Sequence, residues 1–85
     1  MSEKLETFKK KILYRASYRG TKEMDILLSS FVKKNIDNFD SSQLIELEKF
    51  LNFEDEIILN YYNFNIDKKS IDKNIISKIF KNFKV

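Results

Sequence analysis

Residues 19–23 read Arg-Gly-Thr-Lys-Glu, and this stretch holds the only glycine of the 85-residue chain, directly after one of its two arginines. Helix-like segments lie on both sides, so the glycine marks a boundary between them. A glycine at such a place either adopts positive φ or lets another backbone approach where a Cβ would clash. We therefore expect a turn at Gly20 that separates two helices.

The side chains next to this glycine predict a small charged notch. Arg19 carries a planar five-donor guanidinium that suits a carboxylate or a phosphate. Glu23 follows one helical turn later and can share a face with it. A second protein could press into such a notch. A plainer interpretation stays open, in which Gly20 ends a helix and the two charges are simply solvated.

The helix after the turn has the strongest hydrophobic period in the sequence. Its apolar residues follow an i, i+3, i+4, i+7, i+8 spacing, which predicts one core-facing stripe: Met24, Leu27, Leu28, Phe31 and Val32. Thr21 is a candidate N-cap. Glu23 and Asp25 in the first turn suit the helix dipole.

Four further segments have helical patterns. The first covers about residues 2–16 with Ser2 as N-cap, the fourth about 54–62, and the fifth about 70–83, with a turn at 63–65. The third opens with Asp40 and Gln43 in a capping-box spacing. The apolar positions expected to face the core are Leu5, Phe8, Ile12 and Leu13 in the first segment, Leu44, Leu47 and Leu51 with Ile45 and Phe50 alongside in the third, Ile58, Tyr61 and Tyr62 in the fourth, and Ile71, Ile75, Ile76, Ile79, Phe80 and Phe83 in the fifth.

The chain contains no proline, and no strand-like alternation persists in it. Its length fits one domain. We predict an all-α fold, a small five-helix bundle that forms a single domain over residues 1–85.

The composition argues against catalysis. The chain has no cysteine and no histidine, which removes thiolate chemistry, the commonest metal ligand and the commonest general base. One glycine cannot form a phosphate-binding loop. Glu23 and Asp25 lie on different helix faces, so they do not pair as acid and base. We expect no enzyme activity, no catalytic residue, no metal site and no cofactor.

Charge is unevenly distributed around a net value of +3. The charged residues within 37–56 are mainly acidic, whereas residues 67–85 carry six lysines against two aspartates. The lysines are typical of a solvated helix face, so we expect neither nucleic-acid nor membrane binding. No apolar run approaches the ~20 residues of a membrane span. Glu3 and Glu6 among the N-terminal lysines do not suit a targeting segment, and we expect a cytoplasmic protein.

The stretch from Leu13 to Leu28, with Arg15, Arg19, Gly20 and Glu23 in order, resembles the succinate dehydrogenase assembly (flavinylation) factor family. Residues 39–44 look like that family's capped third helix, and residues 50–61 look like its segment with an acidic turn and an Asn-Trp pair. The resemblance covers about residues 5–64. Tyr61 stands where the family often has tryptophan, and Glu56 where some members have proline.

The resemblance implies a function by binding. The family's partner is the flavoprotein subunit of succinate dehydrogenase or fumarate reductase, which carries FAD covalently linked through a histidine of its own. The resemblance places the partner-binding centre at Arg19, Gly20 and Glu23, where Arg19 and Glu23 would pair with partner groups, and gives Arg15 and Asp25 a supporting role.

A chain without histidine would act as an assembly chaperone that holds the flavoprotein in the geometry where the linkage forms, and we expect it to be monomeric when free. Two alternatives stay open: a small basic helical nucleic-acid-binding module, and a helical scaffold without a connection to flavin.

Overall fold

The computed structural model describes residues 3–84 and contains five α-helices within them. They are α1 (Glu3–Ser17), α2 (Lys22–Asn35), α3 (Ser41–Leu51), α4 (Asp55–Phe64) and α5 (Ile75–Lys81). Short 3-10 turns at Ile36–Asn38 and Ile71–Lys73 complete the order. The described residues contain no strand. The predicted all-α five-helix bundle is confirmed.

Two predicted helix starts are present as side-chain caps. Thr21 Oγ1 accepts a hydrogen bond from the Met24 N–H at 3.2 Å. Asp40 and Gln43 form the reciprocal capping box, with bonds of 2.8 and 2.9 Å. Each cap satisfies N–H groups that a helix start leaves without intrahelical partners. The predicted cap of α1, Ser2, lies outside the described residues.

The core is a single cluster drawn from all five helices. The predicted α2 stripe is wholly buried, and α1 packs against α2 and α3 while α5 packs against α3 and α4. Phe80 of α5 makes ring contacts with Phe31, Phe50 and Tyr62 at centroid distances of 4.8–5.2 Å. These contacts join α2, α3 and α4 through one residue, so the last helix closes the core.

Tyr61 occupies the core position where the resembled family often has tryptophan. Its side chain is 2% exposed, and its hydroxyl donates a hydrogen bond to Asp72 Oδ1 at 2.8 Å. Burial, followed by this bond to a carboxylate, raises the pKa of Tyr61 above its ordinary value. The tyrosine therefore packs as an apolar residue while a partner satisfies its polar end.

The prediction of one continuous fifth helix was wrong. Lys69 and Ser70 have positive φ, and α5 begins only after Asn74, whose side-chain oxygen accepts from the Ile76 N–H at 2.8 Å. The Asn74 amide also donates to the Glu46 carbonyl of α3 at 3.0 Å. This buried link to α3 sets the start of α5, and a repeating apolar pattern does not contain that information.

The end of α4 also differs from the prediction. The helix continues through Asn63 and Phe64 and stops at Asn65, which has a left-handed φ of 62° and donates its N–H to the Tyr61 carbonyl at 3.2 Å. Asparagine tolerates this conformation better than most residues.

Three isoleucines expected in the core, Ile45, Ile75 and Ile79, are 49%, 49% and 37% exposed.

Candidate functional site

The turn between α1 and α2 is fixed by the guanidinium of Arg19. Its Nε donates to Asp55 Oδ1 at 2.7 Å, its Nη1 to the Leu51 carbonyl at 2.8 Å, and its Nη2 to the Phe53 carbonyl at 2.9 Å. The side chain is only 10% exposed. These bonds satisfy carbonyls at the end of α3, so the arginine fastens the α1–α2 turn onto the α3–α4 turn.

The group that lies close to Gly20 is a carboxylate of the same chain, Asp55. The Gly20 N–H donates to Asp55 Oδ2 at 2.8 Å, so the Asp55 carboxylate bridges Arg19 and Gly20 with its two oxygens. A Cβ added to Gly20 would lie 3.0 Å from that same oxygen. The φ of Gly20 is not positive. Of the two reasons expected for a glycine here, positive φ was wrong, and the group in close approach is the side-chain carboxylate of Asp55 where a backbone was expected.

Asp25 fixes the turn from the side of α2. Its Oδ1 accepts a hydrogen bond from the Arg19 backbone N–H. The Arg19 backbone and side chain are thus held by two carboxylates from different helices, Asp25 and Asp55. The expected role of Asp25 in supporting the partner-binding centre stays a prediction.

Arg15 lies one helical turn before Arg19 and connects α1 to the end of α3. Its Nη2 donates to Asn52 Oδ1, and its Nη1 lies 3.9 Å from Glu48 Oε2. The Arg15 and Glu48 side chains are about one third exposed. Such partly exposed pairs contribute little free energy, so Arg15 orients the two helices more than it stabilises them.

Glu23 is the predicted site residue that stands apart. It is exposed, and its side chain forms no hydrogen bond or ion pair with any other described residue. The other four predicted residues are joined by contacts to one another or to the α3–α4 turn. Among the five, Gly20 and Glu23 are the exposed ones.

Glu23 borders a groove between α2 and α4 with a volume of about 460 Å³. Its walls are mainly apolar, and the residues that line it are Glu23, Ile26, Leu27, Leu59, Tyr62 and Asn63. Ile26 is 50% exposed, so it presents apolar surface to this groove. The groove continues the exposed surface that begins at Gly20 and Glu23.

Sequence reasoning missed Asp55 as the central residue of the site. From the sequence alone, the acidic residues at the start of α4 are identified only as part of the resembled family's acidic turn. That turn was the available signal, but nothing in the sequence pairs it with an arginine 36 residues away. It also missed Tyr14 of α1 and Tyr18 just after that helix, which are 63% and 69% exposed with ring centroids 4.4 Å apart.

The described part of the chain gives no sign of a metal centre or a membrane helix. Within residues 3–84, no group of three or more acidic side chains is arranged to hold a metal ion. None of the helices in that range is long and apolar enough to cross a membrane.

Fold and site together define a small all-α protein whose polar residues hold two interhelical turns together beside an exposed groove. A family model described as flavinator of succinate dehydrogenase matches residues 10–83, which include all the site residues above. The chain belongs to this family of succinate dehydrogenase assembly factors.

Named relatives agree with this membership. The chain is 42% identical over 50 residues to succinate dehydrogenase assembly factor 2-B, mitochondrial, of Drosophila melanogaster, a match that covers 59% of this chain and 32% of the fly protein. It is 38% identical over 65 residues to succinate dehydrogenase assembly factor 2, mitochondrial, of Meyerozyma guilliermondii, covering 76% of this chain and 48% of the yeast protein. The matches thus span about a third to a half of these relatives. No solved structure matches the chain.

Proposed function

We propose that this chain is an assembly chaperone that binds the flavoprotein subunit of succinate dehydrogenase or fumarate reductase and promotes its covalent attachment of FAD. The observation that carries the proposal is the family match over residues 10–83, which contains the entire Arg19–Gly20–Asp55 arrangement. The names of the fly and yeast relatives point to the same enzyme.

In this proposal the chain contributes geometry and the flavoprotein contributes the chemistry. The chain has no histidine and no cysteine, so the residue that becomes linked to FAD belongs to the partner. Binding to one arrangement of the flavoprotein raises the population of that arrangement. If the reacting groups lie close together in it, attachment is accelerated by positioning alone. The chain is accordingly proposed to be a binding protein and not an enzyme.

The proposed contact surface centres on Gly20 and Glu23. Both are exposed, and Glu23 has no ion-pair partner among the described residues. Arg19 was expected to pair directly with the partner. Three of its donors bond within the chain, so we assign it the role of holding Gly20 in place, together with Asp25 and Asp55. Arg15 orients α1 against α3 beneath this surface.

Compartment and oligomeric state stay predictions. The relatives are named as mitochondrial, and the expectation for this chain is the cytoplasm. Fractionation of cells that express the chain tests the predicted cytoplasmic location. Light scattering of the pure protein checks the monomeric state.

The proposal is tested by reconstitution. Purified apo-flavoprotein subunit and FAD are incubated with and without this chain, and covalent flavin is measured by fluorescence of the denatured subunit. We expect FAD attachment to be faster with the chain than without it. Glu23→Gln should accelerate attachment less than the unaltered chain does. Glu6→Gln, which removes an exposed carboxylate on α1 instead of α2, should accelerate it as much as the unaltered chain does. No acceleration by the unaltered chain would overturn the proposed function.

A further inference from the structure

The groove between α2 and α4 combines a mainly apolar lining with a single carboxylate. Glu23 is the only charged residue among the described residues that line it. Ile26, Leu27, Leu59 and Tyr62 provide apolar surface, and the Tyr62 hydroxyl is already used, since it donates to the Phe83 carbonyl at 2.6 Å. Tyr62 therefore contributes its ring to the groove and not a free hydroxyl.

Two polar side chains of the groove have no partner of their own. Neither the Glu23 carboxylate nor the Asn63 side-chain amide forms a hydrogen bond with any other described residue. Both are exposed. A carboxylate accepts hydrogen bonds only, and an amide both donates and accepts. The groove thus offers an apolar floor with an unpaired anion on its border.

The charge of Glu23 limits what the groove can bind. A volume of about 460 Å³ falls within the range of ~300–1,000 Å³ that is usual for small-ligand clefts. However, a lone carboxylate repels the diphosphate of a dinucleotide, and no lining residue is cationic to offset it. A cationic group next to an apolar one complements this lining better.

We propose that the groove binds a surface segment of the flavoprotein subunit in which an apolar side chain lies next to a lysine or arginine. The apolar side chain packs on Ile26 and Leu59, and the cation pairs with Glu23. This inference rests on the proposed function and extends its contact surface from the Gly20 turn along α2 and α4. Glu56, exposed one turn before Leu59 and Asn60, adds a second negative charge on the same side of α4.

Burial of the Ile26 side chain is expected to contribute most to the free energy of binding this segment. An aliphatic side chain that is 50% exposed has apolar area left to remove from water, and residues at the centre of an interface contribute most of its binding free energy. Glu23 at the border is expected to act mainly on the association rate and on the salt dependence of binding.

The test compares two isoleucines of equal exposure on different helices. Ile26 of α2 is 50% exposed and Ile45 of α3 is 49% exposed. The variants are Ile26→Glu, Ile26→Lys, Ile26→Ala and Ile45→Glu, and binding to the purified flavoprotein subunit is measured by calorimetry at low and high salt. Circular dichroism melting confirms that each variant is folded, and Ile26→Ala serves if a charged variant is not.

We expect Ile26→Ala to weaken binding about tenfold, as loss of a central contact does, and Ile45→Glu to leave it unchanged. Ile26→Lys should bind more weakly than Ile26→Glu, because a lysine repels the cation of the segment while a glutamate attracts it. The difference should shrink at high salt.

Other outcomes overturn the inference. Equal binding by the wild-type chain and all Ile26 variants would remove the groove from the interface and leave the proposed function intact. Tighter binding by Ile26→Lys than by Ile26→Glu would exclude a basic segment. Self-association of the free chain that Ile26→Glu abolishes would assign the groove to a second copy. If the wild-type chain does not bind the flavoprotein, the proposed function fails and the inference fails with it.

Discussion

Asp55 Oδ1 lies 2.7 Å from Arg19 Nε, and this pair joins the turn between the first two helices to the turn between the third and fourth. The same carboxylate accepts the Gly20 N–H through its other oxygen. The glycine, the arginine and the aspartate therefore form one unit, in which a change at any of them alters the positions of the other two.

Asp55→Asn should lower the free energy of unfolding by about 1.5–3 kcal/mol, the range for hydrogen bonds to charged groups. The Arg19 side chain is 10% exposed, so its charge would be left largely buried without a counter-ion. Urea unfolding at neutral pH measures the change. The control is Glu54→Gln, which breaks the neighbouring pair with Lys69 between side chains that are 75% and 67% exposed. That control should cost less than about 1 kcal/mol, and an equal loss in both variants would contradict the prediction.

Arg19→Lys should both destabilise the chain and weaken flavin attachment, although the charge is conserved. A lysine cannot reach Asp55 and the carbonyls of Leu51 and Phe53 from one planar group as the guanidinium does. Thermal melting and the reconstituted attachment assay give the two readouts. Full stability together with full attachment in Arg19→Lys would show that one charge suffices at this position.

Gly20→Val should abolish partner binding while helix content stays nearly unchanged. A Cβ at this position meets Asp55 Oδ2 at 3.0 Å, and the two further methyl groups of valine add to the crowding, so the carboxylate must move. Circular dichroism and co-purification with the flavoprotein are compared for both forms. Combining Gly20→Ala with Asp55→Asn should cost less stability than the sum of the single changes, because both disturb the same contact. Strict additivity would count against this explanation.

Leu28→Ala and Phe31→Ala should each destabilise the protein by roughly 2–5 kcal/mol, as large-to-small changes in a core do. Both side chains are fully buried in the α2 stripe. Ile26→Ala on the same helix is the control, and its effect on stability should be small because Ile26 is half exposed. Chemical unfolding provides the values. Melting temperatures of Leu28→Ala and Phe31→Ala that match the unaltered chain would contradict the core assignment.

Tyr61 should make stability fall in alkali. The pKa of Tyr61 in the folded protein is raised above the ordinary value of 10.0. The stability that protonated Tyr61 contributes is therefore fully present below the ordinary pKa and is lost as pH rises through the folded pKa. Tyr61→Phe lacks this titration. The hydrogen bond from the Tyr61 hydroxyl to Asp72 should make the wild-type chain more stable than Tyr61→Phe at neutral pH, and the difference should shrink above about pH 10. Urea unfolding of both proteins across this range is the measurement, and a constant difference would disprove the assignment.

The pure chain should bind FAD weakly or not at all. It has one glycine, no dinucleotide-binding fingerprint, and an acidic residue bordering the groove between α2 and α4. Titration of FAD followed by fluorescence quenching should be flat, while the chain still forms a complex with the flavoprotein. Saturable one-to-one quenching at low micromolar FAD would replace the positioning mechanism with that of a cofactor carrier.

Local chemistry in the sequence determined the helices and their core-facing sides. The spacing of Met24, Leu27, Leu28, Phe31 and Val32 was enough to define the buried face of α2, since a helix repeats every 3.6 residues whatever surrounds it. Thr21 and Asp40 likewise act within three residues of themselves, and their caps were predicted correctly. Family membership was also accessible, because it depends on the order of residues along the chain.

Only the tertiary structure decided where the site's charges are used. Arg19 finds Asp55 across 36 residues, and Asn74 reaches the Glu46 carbonyl across 28, so neither contact leaves a periodic trace in the sequence. The start of α5, the role of Gly20 beside Asp55 and the groove at Ile26 all follow from how the helices pack. Packing selects among many pairings that local propensity leaves equally open, and for that reason the sequence suggested candidates such as Arg19 and Gly20 but not their partner Asp55.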